Sequence, residues 1–154
     1  IQLIQTHRVQ AIKGNNDHVI TRYHATHENL SLSRSQIEFL DHLPLVRDYR
    51  DAIFTHSVPF DQDLGLSCMI KPLDEYWIDR FFKTYPDKIL FRGHGHDPQI
   101  TTQGFPGFSV EPLPLHTPIE LSHLTPCIIT CGAITEKLCA VWQPENRILN
   151  SMNF

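Results

Sequence analysis

Three short apolar runs of this chain each end in a polar loop, and this pattern constrains the fold more than any other feature. The runs are VQAI (residues 9–12), AIF (52–54) and KILF (88–91), and the loops after them begin KGNND, THS and RGHGH. Apolar runs of this length, bounded by turn residues, predict strands. In open α/β sheets, ligands bind outside the carboxyl ends of the strands. We therefore predict an α/β fold with a functional site where the three loops meet.

Four side chains in these loops predict a metal site: Asn15, His56, His94 and His96. Neutral imidazole is the commonest metal-binding side chain, and residues two apart in an extended segment point the same way. His94 and His96 would then face one ion or two adjacent ions. Histidine and asparagine donors suit divalent ions such as Zn²⁺, Mn²⁺ and Fe²⁺. The ordinary alternatives are a solvated loop for the His-x-His pair, a strand-end role for His56 and a simple turn for Asn15.

Length and composition predict one domain over residues 1–154, with enough apolar sequence for a core. The formal net charge of −4 argues against nucleic acid as the main partner, because phosphate backbones attract basic surfaces. No apolar run is long enough to span a bilayer, and no secretory signal is visible, so we expect a cytoplasmic protein without a membrane partner. Its four cysteines are expected to be reduced and buried: Cys68, Cys127, Cys131 and Cys139.

Two helices are predicted. The first lies within SRSQIEFLDHLP (residues 33–44), with Ser35 and Glu38 as a capping box and an apolar face of Ile37, Leu40 and Leu43. The second lies within PLDEYWIDRFFKTYP (72–86), where Leu73, Trp77 and Phe81 recur every four residues and Tyr76 joins their face.

The rest of the chain is expected to form strands and loops. Two short strands flank a turn near residues 49–51, and DQDLGLSCMIK (61–71) is predicted to be a surface loop. After Pro98 the chain becomes rich in strands, punctuated by prolines. The predicted strands are QITT, CIITCGA, KLCAVWQ and RILNSMNF.

The ordered set Gly-Asn-x-Asp, strand-end His and Gly-His-x-His resembles the calcineurin-like metallophosphoesterase superfamily, particularly its small bacterial and archaeal phosphodiesterases. The segments AIKGNND, FTHS and FRGHGH are similar to the last three of that family's five motifs, in the same order. The segments FLDHLP and CIITCGAITEKLCAVW also resemble the family. Each motif alone is weak, whereas the ordered combination is fairly specific.

The resemblance implies a fold, a reaction and a set of roles. The fold would be an αββα sandwich of two sheets flanked by helices, and the reaction phosphoester hydrolysis by a metal-activated hydroxide between two ions. Asn15, His56 and His94 would hold one ion and His96 the other, and Asp17 would orient a ligand or a catalytic group. The implied cofactors are divalent Mn, Zn, Fe or Ni. The implied partner is a phosphoester, either a small molecule or a nucleotide, and a homo-oligomer is left open.

Two departures from the family pattern affect these expectations. The family's opening Asp-x-His and Gly-Asp-x-x-Asp motifs are absent, so we expect the chain to be the C-terminal remainder of a domain that lacks its first strand–helix–strand unit. Asn16 stands where many relatives have a histidine that protonates the leaving group. Asn16 cannot act as an acid near neutral pH, so activity would favour good leaving groups or use a substitute donor such as His18.

Two alternatives stay open beside a phosphodiesterase. A non-catalytic scaffold would keep the fold and half of the site. A mononuclear zinc hydrolase would use His56, His94 and His96 as ligands, with water in the fourth position. His24 and His27 would line the substrate cleft or lie in a solvated loop.

Overall fold

The structure, a computed structural model, describes residues 1–24 and 32–154. Its larger sheet has six strands in the order β1-β2-β3-β7-β4-β5, of which β2, β3 and β7 are mutually parallel and the others antiparallel. Their bounds are Val46–Tyr49 (β1), Ala52–Thr55 (β2), Ile89–Arg92 (β3), Gln99–Gly104 (β4), Gly107–Pro112 (β5) and Cys127–Thr130 (β7). The strands β3 and β7 are buried along their whole length. Strands covered on both faces read as continuous apolar runs, which is why KILF and CIIT stand out in the sequence.

A smaller antiparallel sheet packs on one face of the larger one. Its order is β6-β9-β8, with bounds Ile119–Glu120 (β6), Leu138–Gln143 (β8) and Ile148–Asn153 (β9). The core between the two sheets includes Ile89, Phe91, Ile129 and Leu149, all buried. Successive side chains of a strand point to opposite faces, so Leu90 and Ile128 belong to the other face of the sheet.

Helices cover that other face. The helix α5 (Glu75–Thr84) buries Trp77, Ile78, Phe81 and Phe82 against the sheet, and Asp74 caps its N-terminus by accepting a hydrogen bond from the Trp77 backbone N–H. The other helices are α1 (Gln2–Thr6), α2 (Asn15–His24), α3 (Arg34–Asp41) and α4 (Asp61–Leu64), with 3₁₀ turns at Gly65–Met69 and Ile134–Glu136. Across the described residues, no helix has the length and apolarity that crossing a membrane requires.

This architecture confirms the predicted α/β fold class with two sheets flanked by helices. The strand pair around residues 49–51, the helix after Pro72 and the strands after Pro98 are also present. Two strands were not predicted, the exposed hairpin strand β5 and the two-residue β6. Neither carries the apolar run by which a buried strand is recognised.

The strand predicted at residues 9–12 is wrong. This segment lies outside both sheets. The Arg47 Nε–H donates to the Ala11 carbonyl at 3.0 Å, and the Lys13 N–H donates to the Pro44 carbonyl at 2.8 Å. Isolated hydrogen bonds of this kind satisfy the backbone here, whereas a strand needs a ladder with a neighbouring strand.

Four further predictions need correction. The capping box of α3 is Ser33 with Gln36, because the helix begins two residues earlier than expected, and Glu38 instead pairs with Arg34 at 2.9 Å. The predicted surface loop 61–71 contains α4 and a 3₁₀ turn that buries Cys68 and Met69.

Tyr76 does not join the apolar face of α5. Its side chain is 62% exposed, because it precedes Trp77 by one residue and is turned about 100° away around the helix axis.

All four cysteines are free thiols, as predicted, but only Cys68 and Cys127 are fully buried. Cys131 lies just beyond the end of β7 and Cys139 lies in the edge strand β8, and both are partly exposed.

Candidate metal centre

The carboxyl ends of the parallel strands lie at one edge of the larger sheet and bring three loops together. His56 follows β2, the segment Gly93 to His96 follows β3, and Gly132 follows β7 within two residues. Asn15 begins α2 beside them. The loops line a pocket of about 270 Å³, whose wall includes Asn15, Asn16, His56, His94 and His96.

Three atoms that could ligate a metal ion converge in this pocket. The Nε2 atom of His56 lies 2.6 Å from Oδ1 of Asn15 and 3.4 Å from Nδ1 of His94. The two imidazole rings meet edge to face, with centroids 5.2 Å apart. The structure therefore brings Asn15, His56 and His94 into direct contact although they are far apart in the sequence.

Glycines on two loops make room for the His56 ring. A Cβ atom at Gly14 would lie 3.0 Å from His56 Nδ1, and one at Gly93 would lie 3.4 Å from the same atom. The first distance is too short for an ordinary contact, whereas the second is normal van der Waals contact. The glycine of the Gly-Asn segment is thus needed for the close approach of the backbone to the ring.

His94 has a left-handed backbone, with φ of 53°. The Gly95 N–H donates to the Gly93 carbonyl at 2.6 Å, which closes a tight turn around His94. A positive φ is uncommon for residues other than glycine. This turn lets the chain reverse directly after a buried strand, with the His94 ring against His56.

The pocket favours neutral imidazoles. Burial, and then the proximity of His94, lower the pKa of His56 below its ordinary 6.5, against a smaller opposing effect of Asp17. Burial, followed by the charge of Arg92, lowers the pKa of His94 in the same direction. Metal ions bind histidine in its neutral form, so both shifts are in the direction that a metal site requires.

The two residues after Asn15 have different surroundings. The Asp17 carboxylate accepts a hydrogen bond from the Gly14 N–H at 2.8 Å and so holds the turn that enters α2. The Asn16 side chain is exposed in the pocket wall, and its Oδ1 lies 3.5 Å from Nδ2 of Asn15. Asn16 therefore reaches the pocket from the solvent side.

His96 lines the same pocket but stays apart from the three donors. Its side chain is 62% exposed, and its Nδ1 lies 3.9 Å from Oε1 of Glu136 in the 3₁₀ turn after β7. Over residues 1–24 and 32–154, no three side chains of the types His, Cys, Asp and Glu group as a metal site. The third converging donor is Asn15, which is not of those types. His24 ends α2, whereas His27 lies outside the described residues.

The donor set fits one divalent ion. Ligand atoms bonded to an ion at about 2.0–2.2 Å lie roughly 3 Å from one another, and the spacings of 2.6 and 3.4 Å bracket that distance. Two imidazole nitrogens and an amide oxygen suit borderline divalent ions. Asn15, His56 and His94 would hold such an ion, with its remaining positions facing the pocket.

A larger cavity of about 380 Å³ adjoins this pocket at Gly93. Its walls are mostly apolar and include Ile12, Phe54 and Phe91. The rings of Phe54 and Phe91 are stacked, with their centroids 5.2 Å apart. Its lining brings no imidazole together with an amide group, so the smaller pocket is the candidate metal centre.

Arg92, the last residue of β3, was not predicted from the sequence to support the pocket. Its side chain is buried and its guanidinium bonds to the loop after β2 and to the end of β7. The available signal was a charged residue directly after the apolar run ILF (residues 89–91), since arginine is seldom fully buried without a specific partner.

Comparison with solved structures places this arrangement in a known fold. A crystal structure of a metallophosphoesterase from Sphaerobacter thermophilus matches with a TM-score of 0.70 over 92% of this chain, with 15% identical residues. This chain spans 64% of the length of that protein. No protein-family profile and no curated protein matches the sequence. The arrangement of two sheets flanked by helices is thus a fold that this chain shares with that metallophosphoesterase.

Proposed function

We propose that this chain is a metal-dependent phosphoester hydrolase, and more narrowly a phosphodiesterase. The observation that carries the proposal is the convergence of Asn15, His56 and His94 at distances that suit one divalent ion. The likeness to a metallophosphoesterase in fold supports the same chemistry. Mn, Zn, Fe or Ni are the candidate ions, and a phosphoester small molecule or nucleotide is the candidate substrate.

Asn15, His56 and His94 would hold a divalent ion, which would act as a Lewis acid toward the phosphoryl oxygens and would lower the pKa of a bound water. The residues of the chain supply the rest. His56 and His94 stay neutral and present their ring nitrogens, while the Asn15 amide oxygen completes the cluster. Asp17 holds the Gly14 turn, which keeps the backbone against the His56 ring.

This site has asparagine at position 16, where a histidine could protonate the leaving group. Asn16 faces the pocket from its exposed side and can donate a hydrogen bond but cannot transfer a proton near neutral pH. We therefore propose that Asn16 orients the ester, and that substrates with good leaving groups are hydrolysed fastest.

The test combines ion binding with turnover. The chain is freed of metal with a chelator, titrated with Mn²⁺ or Co²⁺ by calorimetry, and assayed with bis(p-nitrophenyl) phosphate. His56→Gln should abolish both binding and turnover. His123→Gln is the matched control, because His123 is an exposed histidine in the loop before β7 and should leave both unchanged. Turnover that persists after metal removal would contradict the proposal.

A non-catalytic metal-binding module is the second candidate, and the position of His96 favours it. His96 faces Glu136 rather than the cluster, so the described residues present one compact set of donors instead of two. This candidate predicts that one ion binds without hydrolysis of any phosphodiester. A mononuclear site made of His56, His94 and His96 fits less well, because Asn15 takes the place of His96 in the observed contacts.

A further inference from the structure

One buried cation beneath the histidine loop has no part in the chemistry above. Arg92 ends β3 two residues before His94 and is 6% exposed. Its Nε–H donates to the Ser57 carbonyl at 3.0 Å, and its two terminal nitrogens donate at 3.1 Å to Ser57 Oγ and to Thr130 Oγ1. All three hydrogen bonds are buried.

These hydrogen bonds join the three strand ends that build the pocket. Ser57 directly follows His56 after β2, Arg92 itself ends β3, and Thr130 ends β7. Ser57 Oγ also donates to the Lys71 carbonyl, so the Ser57 side chain is held from both sides. A planar guanidinium presents its donors in a fixed fork, which fixes relative orientation as well as distance.

The loop that carries His94 lies directly on this guanidinium. A Cβ atom at Gly95 would lie 3.3 Å from one of the terminal nitrogens of Arg92 and 3.2 Å from Cγ2 of Thr130. The absence of a side chain at Gly95 therefore lets the loop lie close to the arginine. One side chain thus touches the loop of His56 and supports the loop of His94.

Fold stability alone does not account for a charge at this position. Among residues 1–24 and 32–154, no carboxylate forms an ion pair with Arg92. The guanidinium is buried and carries a full charge near neutral pH, so its desolvation is unfavourable. Even buried ion pairs can often be replaced by apolar side chains of similar volume without loss of stability.

We propose that Arg92 is a positioning residue that fixes the His56 loop against the His94 loop and thereby sets the affinity of the metal site. The inference rests on the proposed function as far as metal affinity is concerned. The other part of the inference, the placement of the His56 ring against the His94 ring, does not depend on a bound ion. Substitution of the residues that orient metal ligands typically weakens metal binding by roughly 10–100-fold.

The experiment compares three variants of the full chain. Arg92→Met removes the charge and the fork, Arg92→Lys keeps the charge but loses the fork, and Leu90→Val is a control in the same strand, also buried. Two quantities are measured below the melting temperature of each variant. They are the nuclear Overhauser contact between the His56 and His94 rings in the metal-free chain and the affinity for Co²⁺ from its visible absorption.

Both arginine variants should lose the ring contact and bind Co²⁺ about 10–100-fold more weakly, while Leu90→Val keeps both properties. If Arg92→Met does not fold, Arg92→Lys alone decides the result. Wild-type affinity and ring contact in Arg92→Lys would overturn the proposal, because charge alone would then suffice. Equal losses in Leu90→Val would overturn it by assigning Arg92 a purely structural role.

A second combination tests whether Arg92 acts through Ser57. Ser57→Ala removes one acceptor, and adding it to Arg92→Met should weaken Co²⁺ binding no further, because interacting residues give non-additive effects. Fully additive losses would contradict the inference that Arg92 acts through its hydrogen bonds to Ser57. A wild-type chain that binds no Co²⁺ would refute the proposed function, while the ring contact would still decide whether Arg92 positions the two histidines.

Discussion

Substitution of Gly14 by alanine tests how closely the backbone must approach His56. The added Cβ would lie 3.0 Å from His56 Nδ1 and 3.1 Å from its Cε1, whereas ordinary contacts begin near 3.4 Å. The ring must therefore move by about 0.4 Å, the difference between these distances. His56 Nε2 lies only 2.6 Å from Asn15 Oδ1, so the movement disturbs the convergence of donors.

The expected result is a loss of metal affinity accompanied by a loss of stability of similar size. Perturbing the support of a metal ligand typically costs roughly 10–100-fold in affinity, which is about 1.4–2.8 kcal/mol. Overpacking of this kind destabilises a fold by about 1–3 kcal/mol. Calorimetric titration with Co²⁺ measures the first quantity, and urea unfolding of the metal-free chain measures the second.

Gly93→Ala is the matched control for Gly14→Ala. Its Cβ would approach the same Nδ1 atom, but at 3.4 Å, and the backbone at neither glycine has a positive φ. The Gly93 variant should therefore bind Co²⁺ nearly as well as the wild type. Wild-type affinity in Gly14→Ala, or equal losses in both variants, would refute the argument from contact distance.

Three other predictions concern the leaving group, pH and the core. Asn16→His should speed the hydrolysis of alkyl phosphodiesters more than that of nitrophenyl ones, since general acid catalysis contributes roughly 10²–10⁴-fold; equal effects on both substrates would reject the missing acid. Because burial lowers the pKa of His56 below 6.5 in the folded chain, the unfolded chain binds more protons at lower pH. Unfolding free energy should therefore decline as the pH falls below about 6.5, and a urea titration should show a flatter decline for His56→Gln; an unchanged slope would contradict this. Phe81→Ala, at a fully buried position, should cost about 3–5 kcal/mol in urea unfolding, against about 1 kcal/mol or less for the exposed Tyr76→Ala; similar costs would show that the Phe81 site repacks.

Local patterns in the sequence were sufficient for the fold class and for the strands that are buried on both faces. Apolar runs such as those of β3 and β7 record burial directly, because every side chain in them avoids water. The parallel pairing of β2 with β3 then follows from the long connection between them, which contains the predicted helix α5. The spatial proximity of His56 and His94 was predictable for the same reason, since parallel strands end at the same edge, whereas Asn15 follows no strand and reaches them from the start of α2.

Features that depend on partners distant in the chain could not be predicted in this way. Residues 9–12 have the composition of a strand, but pairing requires a neighbouring edge, and Arg47 binds their backbone instead. The capping box of α3 was misplaced by two residues for a different, local reason. Ser33 with Gln36 and Ser35 with Glu38 both have the capping-box spacing, and only the observed start of the helix distinguishes them.

The sequence by itself determined which residue types could hold an ion, and the tertiary structure decided which of them meet. His94 and His96 alternate along the chain as if they shared one face, yet the left-handed turn at His94 sends its ring to His56 while His96 faces Glu136. Arg92 gave only a weak signal, because its importance lies in contacts with Ser57 and Thr130, each more than 30 residues away. Side-chain direction at a strand end depends on backbone angles and on neighbours from other strands, and neither is encoded in the spacing of residues along one segment.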